Sequence, residues 1–165
     1  MLPIQLNPND AIAYNNRGYA NYALGRNQEA IADYDRAIKL NPNYDIAYVN
    51  RGNTKCALGK NQDAIADYDR AIKLDSNHAI AYVNRGNAKY ALGRNQEAIA
   101  DYDRAIQLNP NYADAYNNRG NLKSTLDDKQ SAIEDYQKAA DLYKQQGKTS
   151  DEQYAINQVK KLSEP

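Results

Sequence analysis

Apolar residues recur along this chain with a helical period that is interrupted at regular intervals. In residues 11–24 the apolar set is Ile12, Ala13, Tyr14, Ala20 and Leu24, spaced as one face of an α-helix. A second run, Ala30, Ile31, Tyr34, Ala37, Ile38 and Leu40, has the same period. Gly25 lies between them, suited to the left-handed stop of the first helix. Asn27 is placed to cap the second. Asn41-Pro42-Asn43 closes the unit, because proline cannot continue a helical ladder behind it. The pattern predicts a hairpin of two antiparallel helices.

The same hairpin then returns. Tyr14-Asn15-Asn16-Arg17-Gly18 is followed by Tyr48-Val49-Asn50-Arg51-Gly52 and by its equivalents starting at Tyr82 and Tyr116, each a step of 34 residues. Residues 11–44 and 79–112 differ at only four positions, so chance periodicity is excluded. The glycine inside the first helix costs roughly 1 kcal/mol of helix stability. Its return as Gly52, Gly86 and Gly120 therefore predicts a close helix–helix approach at that point.

Tyr14, Gly18, Ala30, Tyr34, Ala37 and Pro42 fall on the signature positions of the tetratricopeptide repeat, which the chain resembles over residues 11–146. Later copies supply Tyr48, Gly52, Ala64, Tyr68 and Ala71, then Tyr82, Gly86, Ala98, Tyr102, Ala105 and Pro110, then Tyr116, Gly120, Ala132, Tyr136 and Ala139. Three features depart from the family pattern. Tyrosine stands at Tyr14 and its equivalents where the family often has Trp. Arg17, Arg51, Arg85 and Arg119 stand where Leu is commoner, and Ser76 and Lys144 replace the proline. The resemblance implies an all-α, right-handed superhelical solenoid of antiparallel hairpins. Its expected units are 11–44, 45–78, 79–112 and 113–146, with a C-terminal capping helix in 147–165.

The ends differ in character. Leu6-Asn7-Pro8-Asn9 resembles Leu40-Asn41-Pro42-Asn43, so residues 1–10 read as the remnant of a preceding repeat, or as an N-terminal arm. At the other end Ser150-Asp151-Glu152-Gln153 suits a capping box. Ala155, Ile156, Val159 and Leu162 form one apolar stripe, and Lys160 and Lys161 occupy the last turn, where the helix dipole favours cations. A solenoid needs such a terminal element with one polar face.

The resemblance further implies that the first helix of each hairpin lines a concave groove that holds an extended peptide or partner segment. Asn16, Asn50, Asn84 and Asn118 recur without exception, and three residues on come Tyr19, Asn53, Asn87 and Asn121, on the same side of the helix. An asparagine amide offers both donors and an acceptor, so a ladder of them can pair with peptide backbone irrespective of sequence. Asparagine ladders in other superhelical arrays of this family look similar. Duplication of a tolerated polar residue is the alternative. Between the asparagine pairs the expected groove positions vary: Asn15, Val49, Val83 and Asn117; Tyr22, Cys56, Tyr90 and Ser124; Ile12, Ile46, Ile80 and Asp114. Tyr22 and Tyr90 are candidate anchors, or simple packing between neighbouring helices. One family subgroup grips a C-terminal carboxylate with a Lys/Asn/Arg clamp. Asn53 and Asn87 match its asparagine, but Asn15, Val49 or Val83, Ile80 and Asn84 stand where its cations belong, so no clamp is expected.

Charge adds one further element. Arg51 and Lys55, Arg85 and Lys89, and Arg119 and Lys123 are like charges four residues apart, each costing a few tenths of a kcal/mol unless offset. Asp33, Asp35, Asp67, Asp69, Asp101, Asp103, Glu134 and Asp135 lie on the second helices. An internal arginine–aspartate ladder between paired helices is the preferred reading over a basic strip for an acidic peptide.

Composition narrows the function classes. The 165 residues carry a formal net charge of zero, against the basic excess of a nucleic-acid binder; a hairpin array that reads RNA is the remote alternative. No apolar run approaches a membrane span, and the N-terminus lacks a secretory signal. The single cysteine, Cys56, fits a reducing compartment such as the cytoplasm. His78, the single histidine, has no Cys or second His at metal-ligand spacing. No phosphate loop or nucleophile set is present, so neither enzyme activity nor a cofactor or metal is expected. The partner is a protein or peptide, with self-association through the N-terminal end as an alternative. Fifteen tyrosines with no Phe or Trp predict many thin interfaces with polar rims, because a buried tyrosine must place its hydroxyl.

Overall fold

The computed structural model describes residues 9–164, and the reading of residues 1–8 as a repeat remnant lies outside them. The described residues form nine α-helices and no strand: α1 Ala11–Ala23, α2 Asn27–Leu40, α3 Asp45–Ala57, α4 Asn61–Leu74, α5 Ala79–Ala91, α6 Asn95–Leu108, α7 Ala113–Thr125, α8 Lys129–Gln145 and α9 Thr149–Ser163. Each helix packs on its neighbours in sequence. Successive first helices also touch, α1 with α3, α3 with α5 and α5 with α7, and contact of that extent joins no two successive second helices among the described residues. The row of first helices is thus the inner side of an all-α solenoid. Among the described residues no helix is long and apolar enough to cross a membrane.

Local chemistry sets the helix ends. Asp10 caps α1 by accepting from the backbone of Ile12 and Ala13 at 2.9 and 3.1 Å. Gly25, Gly59 and Gly93 end the first helices at φ near +74°, as the sequence predicts for Gly25. The fourth hairpin has no glycine there, and Asp127 takes the left-handed position at φ 63°; its short polar side chain tolerates that region better than most. Two expected caps are corrected. Asn27 is the first residue of α2, preceded by Arg26 with no side-chain cap bond. Ser150 likewise lies inside α9, whose cap residue is Lys148, so the capping box does not form. In α8, where Lys144 stands in place of proline, the helix runs on to Gln145.

The core consists of small alanines around one buried tyrosine per hairpin. Tyr34, Tyr68, Tyr102 and Tyr136 are almost wholly enclosed, flanked by Ala30 and Ala37 or their equivalents. A Cβ added to Gly86 would sit 2.7 Å from the Tyr102 ring, and the same holds for Gly18 against Tyr34. The repeated glycine therefore marks where the ring lies on the backbone of the first helix. α9 buries Ala155 against α8, with Ile156 packed on the same cluster.

Burial pushes the Tyr34 and Tyr136 phenols up to about 12 and raises Tyr68, Tyr102 and Tyr143 as well. The neutral phenol is favoured in the folded chain, whereas an unfolded tyrosine ionises near pH 10. The stability from these residues is therefore complete below about pH 10 and is lost as pH rises through about 12. We expect tyrosinate absorbance from the core to appear together with loss of helical circular dichroism in an alkaline titration. Ionisation of all tyrosines with helicity intact would contradict this account.

Candidate peptide-binding face

The asparagines of the first helices are linked to one another. Asn84 Nδ2 donates to Asn53 Oδ1 at 2.9 Å, and Asn118 Nδ2 to Asn87 Oδ1 at 3.0 Å. The same carbonyls accept from the buried tyrosines of their own hairpins: Tyr68 to Asn53 and Tyr102 to Asn87, both at 2.8 Å, and Tyr136 to Asn121 at 2.7 Å. These bonds fix how each amide points. Asn53 and Asn87 turn their carbonyl oxygens inward, each accepting twice, and leave Nδ2 as a free donor. Asn84 and Asn118 spend one N–H on the ladder and keep Oδ1 as a free acceptor. Donors and acceptors therefore alternate along the inner face.

The first hairpin departs from this order. Tyr19 stands where the others have asparagine, so Asn50 Nδ2 turns to Asn15 Oδ1 at 3.0 Å. Asn16 and Tyr19 lie exposed beyond the ladder, Tyr19 being 61% accessible. Tyr22 lines a shallow depression of about 260 Å³ with Asn53, Cys56, Ala57, Tyr68, Asn84 and Asn87. Tyr90 is exposed, with its hydroxyl 3.4 Å from Thr125 Oγ1. Of the expected variable groove positions, Asn15, Val49 and Val83 are instead buried, because that edge of the helix turns into the hairpin interior.

One ladder member escapes the sequence pattern. Tyr154 of α9 donates to Asn121 Oδ1 at 3.1 Å and so takes the place that Asn84 and Asn118 hold toward the preceding helix. Asn84 and Asn118 follow their acceptors by 31 residues, whereas Tyr154 follows its own by 33. The last helix is two residues out of register, which hides it from a search at the repeat period.

The charged residues form the internal ladder that the sequence suggests. Arg51 Nε and Nη2 bind Asp67, Arg85 binds Asp101 likewise, and Arg119 binds Asp135. Lys55, Lys89 and Lys123 reach the same aspartates at 2.8, 2.8 and 2.9 Å. Each like-charged pair thus shares one buried carboxylate, which offsets its repulsion. The first hairpin replaces the lysine by Asn21, which donates to Asp33 at 3.0 Å. The arginines also bridge repeats: Arg51 to Asp35, Arg85 to Asp69 and Arg119 to Asp103. Burial alone would push the Arg51, Arg85 and Arg119 guanidiniums down, yet their aspartate partners hold each above its ordinary value. The same guanidiniums lie over tyrosine rings, Arg51 over Tyr48 at 5.5 Å and Arg85 over Tyr82 at 5.3 Å. The arginine that stands in place of Leu therefore forms a cation–π pair with the tyrosine that stands in place of Trp.

Solved structures with a similar fold are also similar in sequence. MamA is 28% identical over 92% of this chain and 89% of its own, with a TM-score of 0.72. The first TPR of Spaghetti (RPAP3), bound to the HSP90 peptide SRMEEVD, is 28% identical over 74% of this chain and 98% of its own, at 0.69. The Arabidopsis OM64 TPR domain is 30% identical over 70% of this chain and 95% of its own, at 0.68. No curated protein sequence matches significantly. Tetratricopeptide repeat models match residues 11–44, 33–66 and 113–149, and a TPR repeat model matches 52–93 and 86–126. With its hairpins, its ring-on-glycine contacts and these matches spanning residues 11–149, the chain belongs to the tetratricopeptide repeat family.

Proposed function

We propose that this chain is a protein-interaction module that holds an extended peptide along the inner face of its first helices. The supporting observation is the alternation of free amide donors on Asn53 and Asn87 with free acceptors on Asn84 and Asn118, imposed by the inward bonds of the same side chains. An extended backbone presents its own N–H and C=O groups in alternation and matches this order without reference to side chains. Tyr22 and Tyr90 flank the ladder as apolar contacts. Asn16, Asn50, Tyr19 and Asn121 extend the same face toward its two ends. The peptide-bound RPAP3 domain supports the general mode. The absence of clamp cations at Asn15, Val49, Val83 and Ile80 argues that a free terminal carboxylate is not needed here.

The alternative of self-association through α1 has weaker support. Ile12 and Leu24 are 60% and 66% exposed, but their equivalents Ile46, Ile80, Leu92 and Leu126 inside the array are exposed at 41–49% too, so the first hairpin differs from them only in degree.

The test uses a peptide selected from a random library against the whole chain. Asn50→Ala/Asn84→Ala is expected to weaken binding about thirtyfold, the scale of losing two hydrogen bonds of about 1 kcal/mol each. Backbone N-methylation of the peptide should act similarly, and amidation of its C-terminus should change little. Unchanged affinity in the double variant, measured by fluorescence anisotropy, would remove the ladder from the binding face.

A further inference from the structure

A second chemistry-bearing cluster lies away from the inner face, at the corner between the second and third hairpins. Asp45 is the first residue of α3, Asp75 follows the last turn of α4, and His78 precedes α5. His78 Nδ1 is 3.1 Å from Asp45 Oδ2, and one ligand atom from each of the three residues lies within 4.8 Å of the others. The His78 and Asp45 side chains are only 17% and 27% exposed.

The repeat itself provides the control. At the position of Asp45 the other copies have Ala11, Ala79 and Ala113. At that of Asp75 they have Asn41, Asn109 and Tyr143, and at that of His78 they have Tyr44, Tyr112 and Gln146. The other hairpin corners therefore carry alanine, asparagine, glutamine and tyrosine, and none has a carboxylate or an imidazole at these positions. The second copy changes all three, and the fold brings the three changes together although Asp45 and His78 are 33 residues apart. Two carboxylates beside a single imidazole concentrate negative charge, which attracts a positive partner to this corner.

We propose that Asp45, Asp75 and His78 form a binding site for one divalent transition-metal ion of the zinc type, which ties the start of α3 to the α4–α5 turn. The donor set is one imidazole nitrogen and two carboxylate oxygens. That mixture suits zinc, whereas calcium and magnesium prefer oxygen-only sets. Three protein ligands leave a fourth tetrahedral position for water. Zn–N and Zn–O bonds of about 2.0–2.2 Å place ligand atoms about 3.3 Å apart. His78 and Asp45 already meet that spacing, and an Asp75 ligand atom lies within 4.8 Å of both. Asp75 Oδ1 accepts from the Asn77 backbone at 2.9 Å, which orients the carboxylate and leaves Oδ2 for the ion. The His78 backbone N–H donates to the Asp75 carbonyl at 3.3 Å, holding the turn that presents both side chains. Spacing along the sequence does not reveal this site, because its third ligand comes from the preceding hairpin corner.

The test is calorimetric titration of the tag-free chain with Zn²⁺ alone, with magnesium and calcium in parallel. Expected results are one zinc per chain, no comparable binding of magnesium or calcium, and a rise in melting temperature with zinc. His78→Tyr, Asp75→Asn and Asp45→Ala each install the residue that other copies carry, so helicity in chelator should match the parent. Each should weaken zinc binding about tenfold or more, since even outer-shell partners of a metal are worth roughly 10–100-fold. Cys56→Ser should leave binding intact. The proposal is overturned if zinc gives no binding or thermal shift, if His78→Tyr and Asp75→Asn bind as the parent does, or if Cys56→Ser abolishes binding.

Discussion

Asp101→Ala is expected to destabilise the solenoid by about 3–5 kcal/mol, the scale of removing one partner from a buried ion pair. Asp101 is 4% accessible and accepts from Arg85 Nε at 2.9 Å, Arg85 Nη2 at 2.5 Å and Lys89 Nζ at 2.8 Å. Its removal leaves Lys89, itself buried, with only Glu97 at 3.8 Å. Arg85 keeps Asp69 but loses its bidentate partner. At roughly 2–4 °C per kcal/mol for a chain of this size, the melting temperature should fall by about 10 °C. Asp69→Ala removes an exposed partner of the same arginine and should cost about 1 kcal/mol or less. Urea denaturation of the two variants separates these values. Equal and small losses would mean that the charges are solvated and the ladder contributes nothing.

Tyr102 carries the second large effect. Its ring fills the space left by Gly86, and its hydroxyl donates to Asn87. Tyr102→Ala should cost about 3–5 kcal/mol through the cavity that it leaves. Tyr102→Phe keeps the ring and removes one hydrogen bond, worth about 1 kcal/mol, while Asn87 retains its donor from Asn118. The ratio measures how far the tyrosine acts as a packing body and how far as an anchor for the ladder. A phenylalanine variant as unstable as the alanine variant would place the energy in the hydroxyl. It would then make the asparagine ladder mainly a structural device.

Much of this architecture is legible in the residue pattern because a repeat array is local. Each hairpin contacts only its neighbours, so a period of apolar residues specifies both the helices and their order. Gly18 with Tyr34 shows how far that reading extends: the recurring glycine implies a close approach, and the ring that makes it is another recurring position of the same unit. The like-charged Arg85 and Lys89 similarly imply a shared acid before any coordinate is known. Helix caps are less legible. Asn27 and Ser150 have the right chemistry one or two residues too late, since the chain enters both helices earlier than propensity suggests.

By itself, then, the sequence determines the family, the hairpins, the inner-face asparagines and the acidic partners of the arginines, all of which follow from composition at a fixed period. Tertiary structure alone decides three things. It turns the amides of Asn53 and Asn87 inward onto tyrosine hydroxyls and so selects which of their groups stay unbonded on the inner face. It places Tyr154 at the end of the ladder from a helix that is out of register. It brings Asp45 to Asp75 and His78 across a hairpin. In each case the deciding quantity is a direction or a distance between side chains on different helices. A one-dimensional pattern records which residues recur, and only packing determines which of their atoms meet.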